Sequence, residues 1–199
     1  MADQIIDVEQ ACECDTANAI QPIPDPCRPR LATYLDAIAR TLRDCLCDKL
    51  LETVAGAVCR CSLMSGDAPI ADICDIQPGG EGQAWVRLTR LFMSREFPRP
   101  ISDVFNCAAG FWAAEFELGV LRCAVAPDGD GTPPSADELN CEAAKILDDA
   151  FALRFTAECC LPSSISVVPG EWQPLASGGC VGGKVTVTVQ LIPGPISIV

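Results

Sequence analysis

The sequence predicts an α+β domain in which two long helices pack on one face of a mostly antiparallel sheet of about five strands. Apolar residues recur at three- and four-residue steps over 30–55 and 136–159, which is the period of an amphipathic helix. Elsewhere they alternate with polar residues, which is the period of a strand. The order of elements is helix, three strands, helix, two strands, without the strict alternation that builds a parallel sheet. A length of 199 residues is enough for one such domain.

Two irregular segments flank the predicted domain, which spans 31–192. The N-terminal arm at 1–30 contains four prolines and three cysteines. Proline lacks a backbone N–H donor and disfavours a helical predecessor, so we expect the arm to be an extended or covering segment. The C-terminal tail at 193–199 is apolar and contains two prolines. We expect it to dock on another surface, because it otherwise exposes apolar groups.

The first half of the domain is predicted to contain one helix and three strands. The helix has an apolar side from Leu31 to Val54 and ends at Gly56. The strands are predicted at 57–64, 83–93 and 110–124. In the third strand, the even-numbered positions from 112 to 120 are apolar. Glu115 and Glu117 lie on the opposite face, which we expect to meet solvent or a partner.

The second helix begins with a capping box, in which Ser135 is the N-cap and Glu138 follows three residues later. Its predicted apolar face contains Leu139, Ala143, Ile146, Leu147, Ala150, Leu153 and Ala157. Leu161-Pro162 ends this helix. Two strands are predicted after it, at 164–168 and 184–191, and the glycine-rich segment 178–183 between them is expected to be a hinge.

Composition excludes several function classes. The chain has 14 basic and 27 acidic residues, a net charge of −13, which is unfavourable for duplex DNA binding. One stretch is locally basic, since Arg87, Arg90, Arg95 and Arg99 are opposed only by Glu96. We interpret it either as solvated strand edges or as a patch that faces an acidic partner surface or passing DNA.

The chain contains no histidine, so it lacks the commonest general base and every Ser-His or Cys-His nucleophile pair. The glycines at 178–183 are followed by Lys184-Val185 and a strand, which does not match a phosphate-binding loop. The sequence therefore predicts no enzyme activity and no cofactor. The N-terminus lacks a secretory signal, and no apolar run reaches 18 residues, so we expect a cytoplasmic origin and no membrane span.

Fourteen cysteines are unusual for such a chain. Three pairs have C-x-C spacing and one pair is vicinal, and the candidate disulfide or thiol residues are Cys12, Cys14, Cys45, Cys47, Cys59, Cys61, Cys159 and Cys160. No C-x-x-C pair occurs, although a cysteine-only metal site remains open. The alternatives are small core side chains, with Cys45, Cys141 and Cys159 on apolar helix sides, or disulfides formed later in an oxidising medium.

A set of short motifs resembles one protein family. They are G-V-L-R-C at 119–123, P-P-S-A-D-E-L at 133–139, the Cys159-Cys160 helix end, P-G-E-W-Q-P-L at 169–175, G-G-C-V-G-G at 178–183 and a closing V-T-V-T-V strand. Together they resemble the tail terminator proteins of long-tailed phages that infect actinobacteria, over about 31–192. The arm at 1–30 is not part of that pattern.

The resemblance implies a hexameric ring in the virion neck, assembled in the host cytoplasm. Such a ring caps the tail tube protein, joins it to the head–tail connector or stopper protein, and lets DNA pass without reading it. An acidic lumen suits sliding DNA because like charges repel, so Glu115 and Glu117 are the lumen-facing candidates, although no family residue maps onto them. The arm and the tail are candidates for reaching neighbouring subunits. The alternatives are another neck protein, a stopper or adaptor, or a cysteine-rich metal-binding structural module.

Overall fold

A computed structural model describes residues 32–66, 82–101, 110–127 and 129–191. The predicted arm at 1–30, which includes Cys12 and Cys14, and the predicted tail at 193–199 lie outside these residues. Within them, two helices and seven strands are present. The helices are α1 (Thr33–Leu50) and α2 (Ala136–Cys159), and the strands are β1 (Arg60–Leu63), β2 (Gln83–Glu96), β3 (Arg99–Pro100), β4 (Phe111–Cys123), β5 (Val167–Pro169), β6 (Gln173–Ser177) and β7 (Cys180–Gln190).

The seven strands form one mixed sheet with the main order β1-β2-β4-β7-β5. β1 pairs in parallel with β2, whereas all the other pairs are antiparallel. The short β3 extends the sheet beside the end of β2, and β6 lies beside the first half of β7. β4 is central, because it pairs along nearly its whole length with β2 on one side and β7 on the other.

The predicted fold class was therefore wrong, since the sheet has seven strands and is mixed, not a mostly antiparallel sheet of about five. β3 and β6 were missed because Pro100 and Pro174 lie inside them, and proline is tolerated in a sheet only at edges. The expected hinge at 178–183 is also wrong in part, because β7 already begins at Cys180.

Gly182 and Gly183 lie within β7, and both positions require glycine for a steric reason. A Cβ on Gly182 would overlap the backbone of Val120 in β4, and a Cβ on Gly183 would overlap the indole of Trp172. These glycines therefore allow close approach of a neighbouring strand and a side chain. A glycine pair that resembles a flexible hinge in sequence is a tightly packed part of the sheet.

One hydrophobic core lies between the two helices and the facing side of the sheet. α1 contributes the i, i+4 series Ile38, Leu42, Leu46 and Leu50, all buried. α2 contributes only its second half, through buried residues from Asp149 to Ala157. Leu147, which the periodicity assigned to the core, is instead exposed. The first three turns of α2 therefore contribute no buried residue.

Two polar interactions stabilise α2, and the second of them holds it against the sheet. Its predicted capping box is confirmed, since Glu138 N donates to Ser135 Oγ at 3.3 Å and Ser135 N donates to Glu138 Oε2 at 2.7 Å. Farther along, buried Asp149 accepts hydrogen bonds from Nε and Nη2 of Arg122 on β4, at 2.6 and 2.9 Å. Arg122 Nη2 also donates to the Gly56 carbonyl at 2.9 Å, which connects β4, α2 and the turn after α1.

The opposite face of the sheet carries a second, smaller apolar cluster. Its buried members are Trp85, Leu121 and Cys180, with Met64 and Leu175 packed against them. Trp85 is opposite Gly119 in the register between β2 and β4. A Cβ on Gly119 would overlap the indole ring of Trp85, so the absent side chain is what allows the ring to lie flat on the sheet.

We expect Gly119→Ala to destabilise the fold by about 1–3 kcal/mol, because the added methyl group overpacks a buried aromatic ring. The matched control is Gly129→Ala, where a Cβ would meet nothing within 4 Å. Its effect is expected to stay within about 0.5 kcal/mol. Urea unfolding of both variants measures the difference, and equal stabilities would contradict this account of Gly119.

Candidate functional site

A charged centre lies on the outer face of the sheet, made of Glu117 with Arg87, Lys184 and Trp85. Glu117 Oε1 accepts from Arg87 Nε at 2.8 Å and from Trp85 Nε1 at 3.1 Å, and Oε2 accepts from Lys184 Nζ at 2.9 Å. Glu117 is only 3% exposed, and Arg87 is also buried. Three donor side chains from the two strands that flank β4 therefore enclose one carboxylate.

The strand register brings these groups together. Arg87 is directly opposite Glu117, and Lys184 is opposite Gly119, two residues along β4 on the same face. Arg87 also donates from Nη1 to the carbonyl of Gly66 at 2.8 Å, which holds the segment after β1 over this face. The charged centre is thus assembled by antiparallel pairing and closed by a loop.

Burial raises the pKa of Glu117, but the hydrogen bonds from Arg87, Lys184 and Trp85 outweigh it, so its pKa lies below the ordinary value. The carboxylate is held ionised by a guanidinium, an ammonium and an indole donor. A buried charge is tolerated when it is paired and hydrogen-bonded. The arrangement therefore suits a structural role, in which these side chains connect the three strands.

The two lumen candidates differ in accessibility. Glu117, which was expected to face solvent or a partner, is buried in the charged centre because its neighbouring strands supply cations on the same face. Glu115 is partly accessible and accepts a hydrogen bond from Thr89 Oγ1 at 3.0 Å, with Arg90 Nη1 at 3.8 Å. The structure thus leaves Glu115 as the carboxylate that another molecule can approach.

The four arginines of the basic stretch do not form one patch. Arg87 points into the charged centre, whereas Arg90, Arg95 and Arg99 are exposed near the far end of β2 and on β3. Arg90 lies over the ring of Phe92 at 5.1 Å from its centroid, and Arg99 Nη1 is 3.7 Å from Glu96 Oε2. The accessible basic groups are therefore those of the second half of β2 and of β3.

An exposed apolar set, the helix surface, is formed by Leu51, Val54, Leu147 and Phe151. Each of these side chains is between 63 and 73% exposed. The backbone N–H of Val54 donates to Asp148 Oδ2 at 2.7 Å, which places the turn after α1 against α2. Leu147 and Phe151 are one helical turn apart on α2. Sequence periodicity missed this surface, because it assigned Val54 and Leu147 to the core.

A second exposed apolar set, the bulge surface, is formed by Leu88, Leu91 and Trp112, which are 44–48% exposed. The register between β2 and β4 shifts between Leu88 and Arg90, which is a β-bulge. Leu88 is opposite buried Phe116, and Leu91 is opposite buried Ala114. The bulge surface therefore continues the core side of the sheet. Trp112 was expected in the core and is instead part of this surface.

In the described ranges, most of the cysteines are not small core side chains, although Cys180 is buried. Disulfides join Cys45 to Cys160 and Cys47 to Cys61, each with a Cα–Cα distance of 6.1 Å. The first connects the two helices, and the second connects α1 to β1. Cys59, Cys141 and Cys159 are free thiols, and Cys141 and Cys159 are exposed on α2, so their assignment to the core was wrong.

A pocket of about 430 Å³ lies between the first half of α2 and the end of β4. Its lining includes Cys123 and Cys141 together with Arg122, Glu142 and Lys145. Glu142 accepts the backbone N–H of Val125 at 2.5 Å, which closes one side. In the described ranges, no group of three or more Cys, Asp or Glu residues is arranged to hold a metal ion.

No protein-family profile matches the chain, and no curated protein matches it. Neither of the two helices in the described residues is long and apolar enough to cross a membrane. The features that bear on function are the charged centre, the two apolar surfaces and the disulfides.

We expect the charged centre to make stability depend on acid pH. Because the folded pKa of Glu117 is below its ordinary value of 4.5, its stabilisation is complete above that value and is lost as pH falls through the folded pKa. Glu117→Gln should lower the free energy of unfolding at pH 7 by about 3 kcal/mol, because it leaves Arg87 buried without its counter-charge.

Urea unfolding of both proteins from pH 7 to pH 3 checks this expectation. The difference between wild type and Glu117→Gln should shrink as the pH falls. Glu115→Gln is the matched control on the same strand face, and its effect should be below about 1 kcal/mol because that pair is more accessible. A pH-independent loss in Glu117→Gln would contradict the role of the ionised carboxylate.

The two disulfides should stabilise the folded chain unequally. They join residues separated by 115 and 14 positions, and the loss of loop-closure entropy on cross-linking is about 4.7 kcal/mol for a loop of ~100 residues and about 3 kcal/mol for one of ~15. Cys45→Ser with Cys160→Ser should therefore lower the thermal midpoint more than Cys47→Ser with Cys61→Ser. The control is Cys159→Ser, a free exposed thiol, and a midpoint shift equal to that of the double variants would refute the assignment.

Proposed function

We propose that this chain is a structural subunit of the virion neck of a long-tailed phage, the tail terminator that caps the tail tube and joins it to the head–tail connector. The observation that carries the proposal is the presence of two separate exposed apolar surfaces, one on the helices and one at the bulge of β2. A subunit of a closed ring needs two different complementary surfaces, because each copy contacts one neighbour with each of them.

The motifs behind the family resemblance support a structural role, because their residues form hydrogen bonds, a disulfide and packing contacts within the fold. Arg122 in G-V-L-R-C anchors α2 through Asp149, and Ser135 and Glu138 form the capping box. Cys160 is cross-linked to Cys45. In P-G-E-W-Q-P-L, Trp172 packs on the core and lies against Gly183. Motifs whose residues stabilise the fold in this way are typical of a structural protein.

The ionisable groups support the same proposal. The buried carboxylates of Glu117 and Asp149 are each held by hydrogen bonds and ion pairs to cations of the same chain. Carboxylates bound in this way serve the fold instead of acid–base chemistry. We therefore propose a non-enzymatic role, with DNA passing through the ring without sequence-specific contacts.

The charge distribution suits a ring around DNA. The chain has a net charge of −13, so its overall field repels the phosphate backbone and disfavours tight binding of a passing duplex. Glu115 is the candidate that remains for the lumen, since it is partly accessible on the central strand. Glu117 is not a lumen group in this proposal, because the subunit itself buries it.

Assembly with the tail tube protein tests the proposal. We expect the purified full-length chain, mixed with tail tube subunits, to form closed rings, with six copies expected, at one end of each tube. Native mass spectrometry and electron microscopy measure the copy number and the position of the ring. A chain that stays monomeric with tubes present contradicts the terminator. A chain that binds an added portal ring and leaves the tubes unbound also contradicts it and favours an adaptor or stopper.

Metal analysis tests the remaining alternative, a cysteine-rich metal-binding module. We expect the purified chain to carry no stoichiometric zinc or iron, with its Cys45–Cys160 and Cys47–Cys61 disulfides found by peptide mapping under non-reducing conditions. One metal ion per chain with these four cysteines reduced would favour the module instead.

A further inference from the structure

A cluster of three cysteines lies at the end of α2. Cys160 is bonded to Cys45 of α1, and the preceding residue, Cys159, is a free and exposed thiol. We infer that Cys159 is the thiol through which this disulfide forms: it reacts with a low-molecular-weight disulfide in solution and passes the oxidation to Cys45 and Cys160. Cys159 is thus a modification site whose reaction partners are small disulfides and thiols.

The three cysteines differ in their access to solvent. Cys45 and Cys160 are partly buried where the disulfide joins α1 to α2, whereas Cys159 is exposed. Thiol–disulfide exchange proceeds by direct attack of a thiolate on a disulfide sulfur, so its rate depends on access to the attacking thiol. A dissolved disulfide therefore reacts with this cluster first at Cys159.

The position of Cys159 in the last turn of α2 allows the oxidation to be passed on. α2 ends at Cys159, and Cys160 is its C-cap. Successive helix positions differ in direction by about 100°, which is why Cys159 faces solvent and Cys160 faces α1. The last turn of a helix lacks some of its backbone hydrogen bonds and frays readily. A rotation of this turn is therefore enough to bring Cys159 beside Cys45.

The reaction consists of three exchanges. The thiolate of Cys159 attacks a dissolved disulfide RSSR, which forms the mixed disulfide Cys159–SR and releases RS⁻. The thiolate of Cys45 attacks the Cys159 sulfur, which forms Cys45–Cys159 and releases the second RS⁻. The thiolate of Cys160 then attacks the Cys45 sulfur, which forms Cys45–Cys160 and returns Cys159 as a thiolate. In sum, RSSR is reduced to two RSH, which take up the two protons of the Cys45 and Cys160 thiols.

The second disulfide has no such exposed neighbour in the part of the chain that the structure describes. Cys47 is bonded to Cys61, and the free thiol next to this pair in sequence, Cys59, is partly buried. The backbone N–H of Cys59 also donates to the Gly82 carbonyl at 3.1 Å, which holds this residue beside the start of β2. Formation of Cys47–Cys61 should therefore be independent of Cys159, and it provides a comparison within the same molecule.

Oxidation of the reduced full-length chain by oxidised glutathione tests the role of Cys159. Samples are quenched and alkylated at successive times, and their disulfides are mapped by mass spectrometry. We expect Cys159→Ser to slow the formation of Cys45–Cys160 by at least about tenfold and to leave the rate for Cys47–Cys61 unchanged. The matched control is Cys141→Ser, which removes another exposed thiol of α2, about 27 Å away along the helix. It should change neither rate.

The Cys160→Ser variant gives a second test that needs no reduced protein. Purified without reductant, it should contain a disulfide between Cys45 and Cys159, because the last exchange has no thiol to complete it. Cys45 should be reduced when Cys159→Ser is added to this variant.

Three results would overturn the assignment. The first is an equal rate of Cys45–Cys160 formation in wild type and in Cys159→Ser. The second is an equal slowing of both disulfides by Cys159→Ser, which would indicate a general effect on folding. The third is a Cys160→Ser chain in which Cys45 stays reduced. None of these measurements involves ring formation, so the proposed function and the role of Cys159 stand or fall separately.

Discussion

The burial of β4 on both faces is the constraint on which the rest of the structure depends. A strand at the middle of a sheet with apolar layers on both sides can keep a carboxylate only if neighbouring strands neutralise it. Glu117 meets that condition because Arg87 and Lys184 come from the strands on either side. The same three strands must therefore be adjacent, antiparallel and in one register. The ion pairs fit this one arrangement of the three strands.

The helical layer depends on a second set of connections around β4. Arg122 holds Asp149 of α2 and the carbonyl of Gly56 after α1. The Cys45–Cys160 disulfide connects the two helices directly, and Cys47–Cys61 connects α1 to the edge strand β1. α1 is thus linked covalently to its neighbours on both sides. The helix surface therefore lies on a rigid layer of the fold. Rigidity suits a binding surface, because less conformational freedom is lost when a partner binds.

Local signals made part of the fold predictable from sequence. The capping box at Ser135 and Glu138 was predictable because it depends on residues three apart. The alternation over 184–191 marked β7 because each outward side chain is polar. The seven-strand mixed sheet was not predictable, since β3 and β6 contain proline, and the parallel pairing of β1 with β2 leaves no local pattern.

The candidate sites were less predictable, because their residues meet through long-range pairing. In the sequence, Glu117 occupies a position of an alternating strand that is typical of a solvent-facing residue. Its cationic partners, Arg87 and Lys184, are 30 and 67 positions away. The helix surface was hidden because α2 is apolar on more than one side, and periodicity alone does not tell where the sheet ends beneath it. The cysteine pairs Cys45–Cys160 and Cys47–Cys61 have no sequence signature, since disulfides require a specific Cα separation that spacing does not reveal.

The β-bulge has a consequence for how this sequence can diverge. It divides β2 into a first half whose side chains are enclosed and a second half from Leu88 onward that is largely accessible. Substitutions in the first half are constrained by the packing of Trp85, Arg87 and the core. Substitutions in the second half disturb fewer contacts within the chain, so they can accompany changes in a molecule that binds there. One continuous strand therefore joins a constrained framework to an edge where substitutions disturb fewer contacts, so new specificity can arise there without refolding the sheet.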